Sequence, residues 1–257
     1  MNSNFQIFNA LHQTNKLFVL PNAWDAKSAS LFQEAGFTAI GTSSAAVAAS
    51  MGYTDGEGMS FGDYLFVIKR IAATVKLPLT VDLEMGYGRN GEEIYANIQK
   101  LLALGVVGIN LEDSVIHGSK RALGNADDFA RRVNSIKEKL VSHNEALFIN
   151  ARCDTYLLQE KNAQQETERR ARLYETAGVD GLFLPVISKE EDIQAAVNAT
   201  RLPLNVMCIP GLPDFTRLEE LGVKRASMGP FFQSKVFSAV EVLSRKIASE
   251  GNFNSIL

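Results

Sequence analysis

Cysteine is scarce in this chain: Cys153 and Cys208 are the only two among 257 residues. Two thiols do not make a disulfide scaffold, and they suit a reducing cytoplasm. A surplus of basic charge is also missing. The formal net charge is −3, and no Lys/Arg run offers an electrostatic footprint for nucleic acid. No apolar run is long enough to span a bilayer. The first twenty residues hold Lys16 as their one lysine or arginine and no unbroken apolar stretch, which argues against a secretory signal. Histidine is limited to His12, His117 and His143, with no spacing that would ligate zinc. The expectation is a soluble cytoplasmic protein with no nucleic-acid or membrane partner.

What the chain does contain is a repeating pattern. Apolar residues make up 46% of it, enough for a sizeable core. After a short amphipathic start (Phe5, Ile7, Phe8, Leu11), strand-like runs are predicted at Leu17–Leu20, Thr38–Gly41, Leu79–Leu83, Val107–Leu111, Leu147–Ala151, Gly181–Leu184, Leu204–Met207 and Arg225–Met228. Segments with helical spacing alternate with them: Ala26–Ala35, Phe61–Val75, Glu92–Leu104, Ala126–Leu140, Glu166–Ala177 and Lys189–Ala199. Several end on a glycine stop, as in Ala35-Gly36, Leu104-Gly105 and Ala177-Gly178. Eight such units in a chain of this length predict one (β/α)₈ barrel domain spanning residues 1–257. The alternative, a doubly wound open sheet, calls for a glycine-rich turn after the first strand; Pro21-Asn22-Ala23-Trp24-Asp25 stands there instead.

In such a barrel the chemistry gathers at the C-terminal ends of the strands. That rim reads Asn22 and Trp24, then Ser43, Ser44 and Ala45, then Asp82 and Glu84, then Glu112 and Asp113, and finally Arg152, Pro185, Asn205 and Gly229. Asp82 and Glu84 are two apart, so on an extended strand they share a face, with Glu112 across from them. Three converging carboxylates repel unless a cation neutralises them, and Mg²⁺ or Mn²⁺ fits that role. An ion-pair network with Arg152 or Arg89 is the lesser alternative. Thr42-Ser43-Ser44-Ala45 offers consecutive amides and two hydroxyls to an anionic oxygen. Arg152 offers a fork to a carboxylate or phosphonate, unless Asp154 occupies it.

Several of these segments together carry a specific likeness. Pro-Asn-Ala-Trp-Asp-Ala (21–26), Thr-Ser-Ser-Ala (42–45), Asp-Leu-Glu-Met-Gly-Tyr-Gly (82–88), Gly-Ile-Asn-Leu-Glu-Asp (108–113) and Asn-Ala-Arg-Cys-Asp-Thr (150–155) resemble the isocitrate lyase/phosphoenolpyruvate mutase superfamily, roughly from Leu20 to Gly229. The resemblance implies Mg²⁺ near Asp82, Glu84 and Glu112, and a 2-oxo acid carboxylate on Ser43, Ser44 and Ala45. It also implies a further carboxylate at Asp55 and a distal anionic group at Arg152. Family members form homotetramers whose dimers exchange the last barrel helix. The terminal segment here is amphipathic through Val236, Val240, Leu243 and Ile247, a face that could equally cover its own barrel.

The departures are informative. Lyases of this family carry an acid/base cysteine in the loop after the Glu-Asp pair. Here that loop, Ser114–Asn125, reads Lys120-Arg121-Ala122, with alanine where the cysteine belongs. Val186 follows Pro185 where lyases have glutamate, Pro185 stands where mutases and phosphonopyruvate hydrolases have histidine, and the mutase Lys-x-Asn-Ser is missing. Cys153 should face away from the site, and Cys208 should be a small buried residue. The candidate catalytic set is therefore Asp55, Arg152, Tyr53 and Lys120, with Tyr87 or water as other substitutes for the cysteine. Ser43, Ser44, Ala45, Arg152 and Asn205 are the candidate substrate contacts. The expected chemistry is metal-stabilised enolate formation, with cleavage of a C–C bond beside a 2-oxo or 2-hydroxy carboxylate. Decarboxylation or hydrolysis of an oxaloacetate-like acid, or binding without turnover, are the alternatives. The Ser114–Asn125 loop is expected to act as a glycine-containing lid.

Overall fold

The computed structural model describes residues 3–118 and 120–257, so Ser119 of the expected lid lies outside the described residues. Parallel strands run β1 (Phe18–Leu20), β2 (Asn22–Ala23), β3 (Ile40–Thr42), β4 (Leu79–Asp82) and β5 (Gly108–Glu112). Next come β6 (Ser114–His117) and β7 (Lys120–Leu123), which form a separate antiparallel ribbon. The parallel set resumes with β8 (Phe148–Arg152), β9 (Gly181–Leu184), β10 (Leu204–Met207) and β11 (Arg225–Ser227). The nine parallel strands are ordered β1-β11-β10-β9-β8-β5-β4-β3-β2.

The two ends of that order are one strand interrupted at Pro21. Proline has no N–H, so the ladder breaks there. β1 pairs with β11 on one side and β2 with β3 on the other, while the Pro21 carbonyl still accepts from Gly41 N at 2.8 Å. This closes the sheet into an eight-fold barrel, as the strand spacing predicts. Asn22 seals the seam: its Oδ1 accepts from Met228 N at 2.8 Å and Gly229 N at 2.9 Å, and its Nδ2 donates to Thr42 O at 2.8 Å.

Among the described residues, ten helices accompany the strands: α1 (Ser3–Gln13), α2 (Ala26–Glu34), α3 (Ser44–Met51), α4 (Phe61–Ala72), α5 (Gly91–Leu102), α6 (Ala126–Ser142), α7 (Ala163–Thr176), α8 (Glu190–Ala199), α9 (Phe215–Glu220) and α10 (Phe231–Glu250). α5 shows how the sequence specifies them. Asn90 caps its start by accepting from Glu93 N at 3.0 Å, Glu92 and Glu93 sit in the first turn, and Ile94, Ile98 and Leu101 are buried against the sheet. α1 closes the N-terminal mouth of the barrel. Its Phe8 is fully buried with Phe18, Leu20, Val107 and Phe148, and His12 stacks on Phe148 at 4.1 Å. Burial, followed by the charge of Arg225, drives the His12 imidazole down to a pKa of about 3, so it is neutral.

Two expectations gain structural detail here. Within the expected lid, Ser114–His117 and Lys120–Leu123 form a two-stranded ribbon, with Ser114 opposite Leu123 and Ile116 opposite Arg121. The last helix meets its own barrel at its start, where Phe232 packs on Phe32 at 5.3 Å and Gln233 donates to Ala46 O at 3.0 Å, and leaves its later apolar face open. Gln233 is the only buried residue of α10, and Val236, Val240 and Leu243 remain 38%, 56% and 36% exposed. Among the described residues, no helix is long and apolar enough to cross a membrane.

Candidate active site

A cavity of about 330 Å³ opens at the C-terminal ends of the strands. Ser43, Ser44, Ala45, Asp55, Asp82, Arg121 and Arg152 line one part of it, and Leu157, Phe183, Pro185, Met207 and Pro230 another.

The polar part is built from β3 and β4. Ser43 is the N-cap of α3: its hydroxyl accepts from Ala46 N at 3.3 Å. The amides of Ser44 and Ala45 open the helix and have no intrahelical acceptor. Asp82 ends β4, and its backbone is held on both sides. Its N–H donates to Thr42 Oγ1 at 3.1 Å, and its carbonyl accepts from Tyr64 OH at 2.9 Å. The carboxylate accepts from Ser44 Oγ at 2.8 Å and Asn110 Nδ2 at 3.3 Å, both neutral donors. Asn110 is oriented from behind, because its Oδ1 accepts from Asn150 Nδ2 at 2.9 Å and Arg225 Nη2 at 3.1 Å. Ser44 Oγ also lies 3.3 Å from Asp55 Oδ1, so two carboxylates flank one hydroxyl.

The predicted triad of Asp82, Glu84 and Glu112 is not assembled. Among the described residues, no three His, Cys, Asp or Glu side chains are grouped to hold a metal. β4 stops at Asp82 and Glu84 takes a left-handed φ of 50°, so the two-residue repeat of a strand does not carry Glu84 onto the face of Asp82. The Glu84 carboxylate instead accepts from Tyr87 OH at 2.6 Å and Glu57 N at 2.7 Å. Burial, aided by the nearby Asp55 and Asp82, pushes its carboxyl up to about 7. The turn needs Gly86, at φ 106°, where a Cβ would fall 2.6 Å from the Ile94 side chain.

Glu112 is held by two arginines. It pairs with Arg121 Nη1, and its Oε2 lies 2.8 Å from Arg152 Nη1. Burial holds its carboxyl above the ordinary range against the pull of both cations. Arg152 lines the cavity, yet its fork is turned to Asp154: Nε to Oδ1 at 2.7 Å and Nη2 to Oδ2 at 3.2 Å. The spacing of Asp154, two residues on, was the signal for this. Arg121 reaches Asp55 at 3.3 Å and Asp154 at 3.6 Å besides Glu112.

The remaining candidates divide. Tyr53 is 40% exposed, and its hydroxyl donates to Asp63 at 3.2 Å, away from the cavity. Lys120 is exposed on the ribbon, and its neighbour Arg121 lines the cavity in its place. Asn205 is buried inside the barrel, donating to Val206 O and Ser227 Oγ, each at 3.1 Å, and is not among the lining residues. Tyr87 is committed to Glu84. Cys153 is fully buried and its thiol is pushed well up by that burial. Cys208 is exposed, contrary to expectation, and lies outside this cavity. Sequence reasoning missed Asn110, a lone amide in a buried strand, and the apolar wall.

The hard oxygens of Asp82, whose side-chain hydrogen-bond donors among the described residues are the neutral Ser44 and Asn110, fit a Mg²⁺ ion that takes one carboxylate and keeps its waters. Glu84 and Glu112 are spoken for by other partners.

The chain matches the phosphoenolpyruvate phosphomutase family over residues 8–248. It is 35% identical over 222 residues to an uncharacterized protein of Mycobacterium tuberculosis H37Rv, covering 86% of this chain and 81% of that one. With oxaloacetate decarboxylase of Rhodopseudomonas palustris HaA2 it shares 30% identity over 190 residues, 71% of this chain and 62% of that one. A solved structure from Burkholderia cenocepacia J2315, provisionally assigned as a phosphonomutase, is 34% identical with a TM-score of 0.88, covering 95% and 98% of the two chains. Phosphonopyruvate hydrolase, solved with oxalate and Mg²⁺, is 23% identical with a TM-score of 0.86 over 98% and 89%, a likeness of fold. The chain belongs to the phosphoenolpyruvate mutase family, within the phosphoenolpyruvate mutase/isocitrate lyase superfamily of enzymes.

Proposed function

We propose that this chain, acting as one domain in the cytoplasm, is a Mg²⁺-dependent carbon–carbon lyase. Its substrate would be a 2-oxo or 2-hydroxy carboxylate, cleaved through an enolate. One observation carries the reading: Asp82, a cavity carboxylate that among the described residues accepts from the neutral donors Ser44 and Asn110, adjoins the amide-bearing start of α3. A metal-chelating acid satisfies both at once, with its carboxylate on the Ser44 and Ala45 amides and its cation on Asp82. When bound, the ion acts as a Lewis acid toward the oxygen on which charge develops.

The chain's own residues do the rest. Asn110 and Ser44 fix the Asp82 carboxylate, which limits reorganisation as charge builds. Asp55 is the cavity group placed to take or return a proton, its Oδ1 beside Ser44 Oγ and its Oδ2 beside Arg121. The β6–β7 ribbon brings Arg121 over Glu112 and limits water at that edge. Loss of CO₂ from a 2-oxo dicarboxylate is a second reading. It is favoured because, among the described residues, no thiol or phenol lines the cavity, and CO₂ departs without a proton donor at the broken bond. The exposed apolar row on α10 supports a homo-oligomer in which this helix packs on a second copy.

The test is a Mg²⁺-supplemented screen of 2-oxo and 2-hydroxy acids, with pyruvate, glyoxylate and CO₂ measured. The lyase reading expects a 2-oxo acid product with no CO₂. Stoichiometric CO₂ selects the second reading, and no product from any acid despite tight oxalate binding removes both.

A further inference from the structure

We infer that Arg225 is a positioning residue of this site: from inside the barrel it fixes which end of the Asn110 amide faces Asp82, and so the orientation of the carboxylate that takes the ion. The inference rests on the reading above, in which Asp82 holds Mg²⁺. Arg225 opens β11, and β5 lies directly across the barrel, with β10, β9 and β8 between them one way and the interrupted β1–β2 strand, β3 and β4 the other. The buried side chain crosses that interior. Its Nη2 donates to Asn110 Oδ1 at 3.1 Å, and Asn110 Nδ2 donates to Asp82 Oδ1 at 3.3 Å. A guanidinium can only donate, so it admits only the oxygen end of the amide. Asn150, the other donor to that oxygen at 2.9 Å, is itself an amide and can turn over together with Asn110. Arg225 breaks that tie.

Stability does not account for a cation at this place. Arg225 is 1% exposed, and among the described residues its Nε and Nη1 meet no hydrogen-bond acceptor. The carboxylates Glu112 and Asp154 are paired with Arg121 and Arg152 instead. His12, whose charge Arg225 helps to suppress, is neutral and supplies no counter-charge. Burial pulls the guanidinium down to about 9, with the charge of Asp82 opposing the fall, so it stays positive at neutral pH. An apolar side chain of similar size in place of a buried, uncompensated ion would be at least as stable. What the cation provides is a donor aimed at Asn110.

Calorimetric titration of oxalate into the full-length protein in Mg²⁺, beside thermal melting, tests this. Arg225→Met should weaken oxalate roughly tenfold to a hundredfold, the worth of a hydrogen bond to a charged group, with a Tm no lower than that of wild type. Asn110→Leu should cause a similar loss. The double variant should match Asn110→Leu alone within about twofold, because Arg225 acts through that amide. Arg225→Gln, whose own amide can turn over, should show the same loss and takes the place of the methionine variant if that one does not fold. Unchanged affinity with a lowered Tm would make Arg225 a structural residue. Tighter binding would make it only a cation that repels the ion, and additive losses would mean that it acts by another route. Each of these overturns the inference and leaves the Asp82 site standing. Failure of the wild-type protein to bind oxalate would remove the reading of the site and the inference with it.

Discussion

Replacing Arg152 with methionine probes the electrostatic centre of the site. The guanidinium is 11% exposed and contacts the fully shielded Glu112 and Asp154 carboxylates at 2.8 and 2.7 Å. Methionine keeps much of the apolar stem and removes the charge, leaving Arg121 as the one cation for both carboxylates. Breaking a buried pair by removing one partner costs about 3–5 kcal/mol. At ~2–4 °C per kcal/mol for a domain of this size, Tm should fall by about 6–20 °C. The pH dependence has a definite sign. The folded-state carboxyl of Glu112 is raised by burial above its unfolded value, so the native state binds a proton that the unfolded chain has released. Stability is therefore lost as pH rises from the ordinary carboxylate range through the raised value. Removing Arg152 raises that carboxyl further, so the deficit of Arg152→Met should be larger at pH 8 than at pH 5. Calorimetric melting at both values measures it. A Tm within about 2 °C of wild type, or a deficit that grows toward low pH, would refute the view that this arginine is a buried counter-ion.

Two further outcomes follow from placement. N-ethylmaleimide should modify Cys208 and spare Cys153, giving one adduct by mass, with oxalate affinity unchanged because Cys208 lies outside the cavity; a second adduct on the folded protein, or loss of oxalate binding, would place a thiol at the site. Val240→Glu and Leu243→Glu on α10, at positions 56% and 36% exposed, should reduce the oligomer to a smaller species by light scattering without lowering helicity; an unchanged mass would mean that this face is not an interface.

Much of the architecture was legible because strand ends and apolar periodicity are local signals. All eight predicted strand positions hold, and Asn22, Ser43, Ser44, Ala45, Asp82 and Arg152 do reach one cavity. What failed depended on geometry that pattern does not encode. Glu84 leaves the face of Asp82 because its backbone turns left-handed ahead of Gly86, a choice fixed by packing on Ile94. Arg152 faces Asp154 because two buried carboxylates outcompete an open cavity for its fork. Tyr53 swings to Asp63 once α3 ends at the left-handed Gly52. The ribbon was readable in principle: Ser114-Val115-Ile116-His117 and Lys120-Arg121-Ala122-Leu123 flank a turn containing Gly118, as hairpin strands do. Its cavity-lining residue, Arg121, sits opposite Ile116 in that pairing, and Lys120 is not among the lining residues.

The central claim is that Asp82 and the start of α3 hold a Mg²⁺-chelated 2-oxo acid. Oxalate titration into the wild-type protein, with Mg²⁺ and again after exhaustive chelation, tests it most directly when repeated on Asp82→Asn. The account expects binding in Mg²⁺ that falls at least 100-fold in chelator, with a loss of about 3 kcal/mol or more for Asp82→Asn in an intact fold. Oxalate binding of equal strength with the cation stripped, or undiminished in Asp82→Asn, would contradict it.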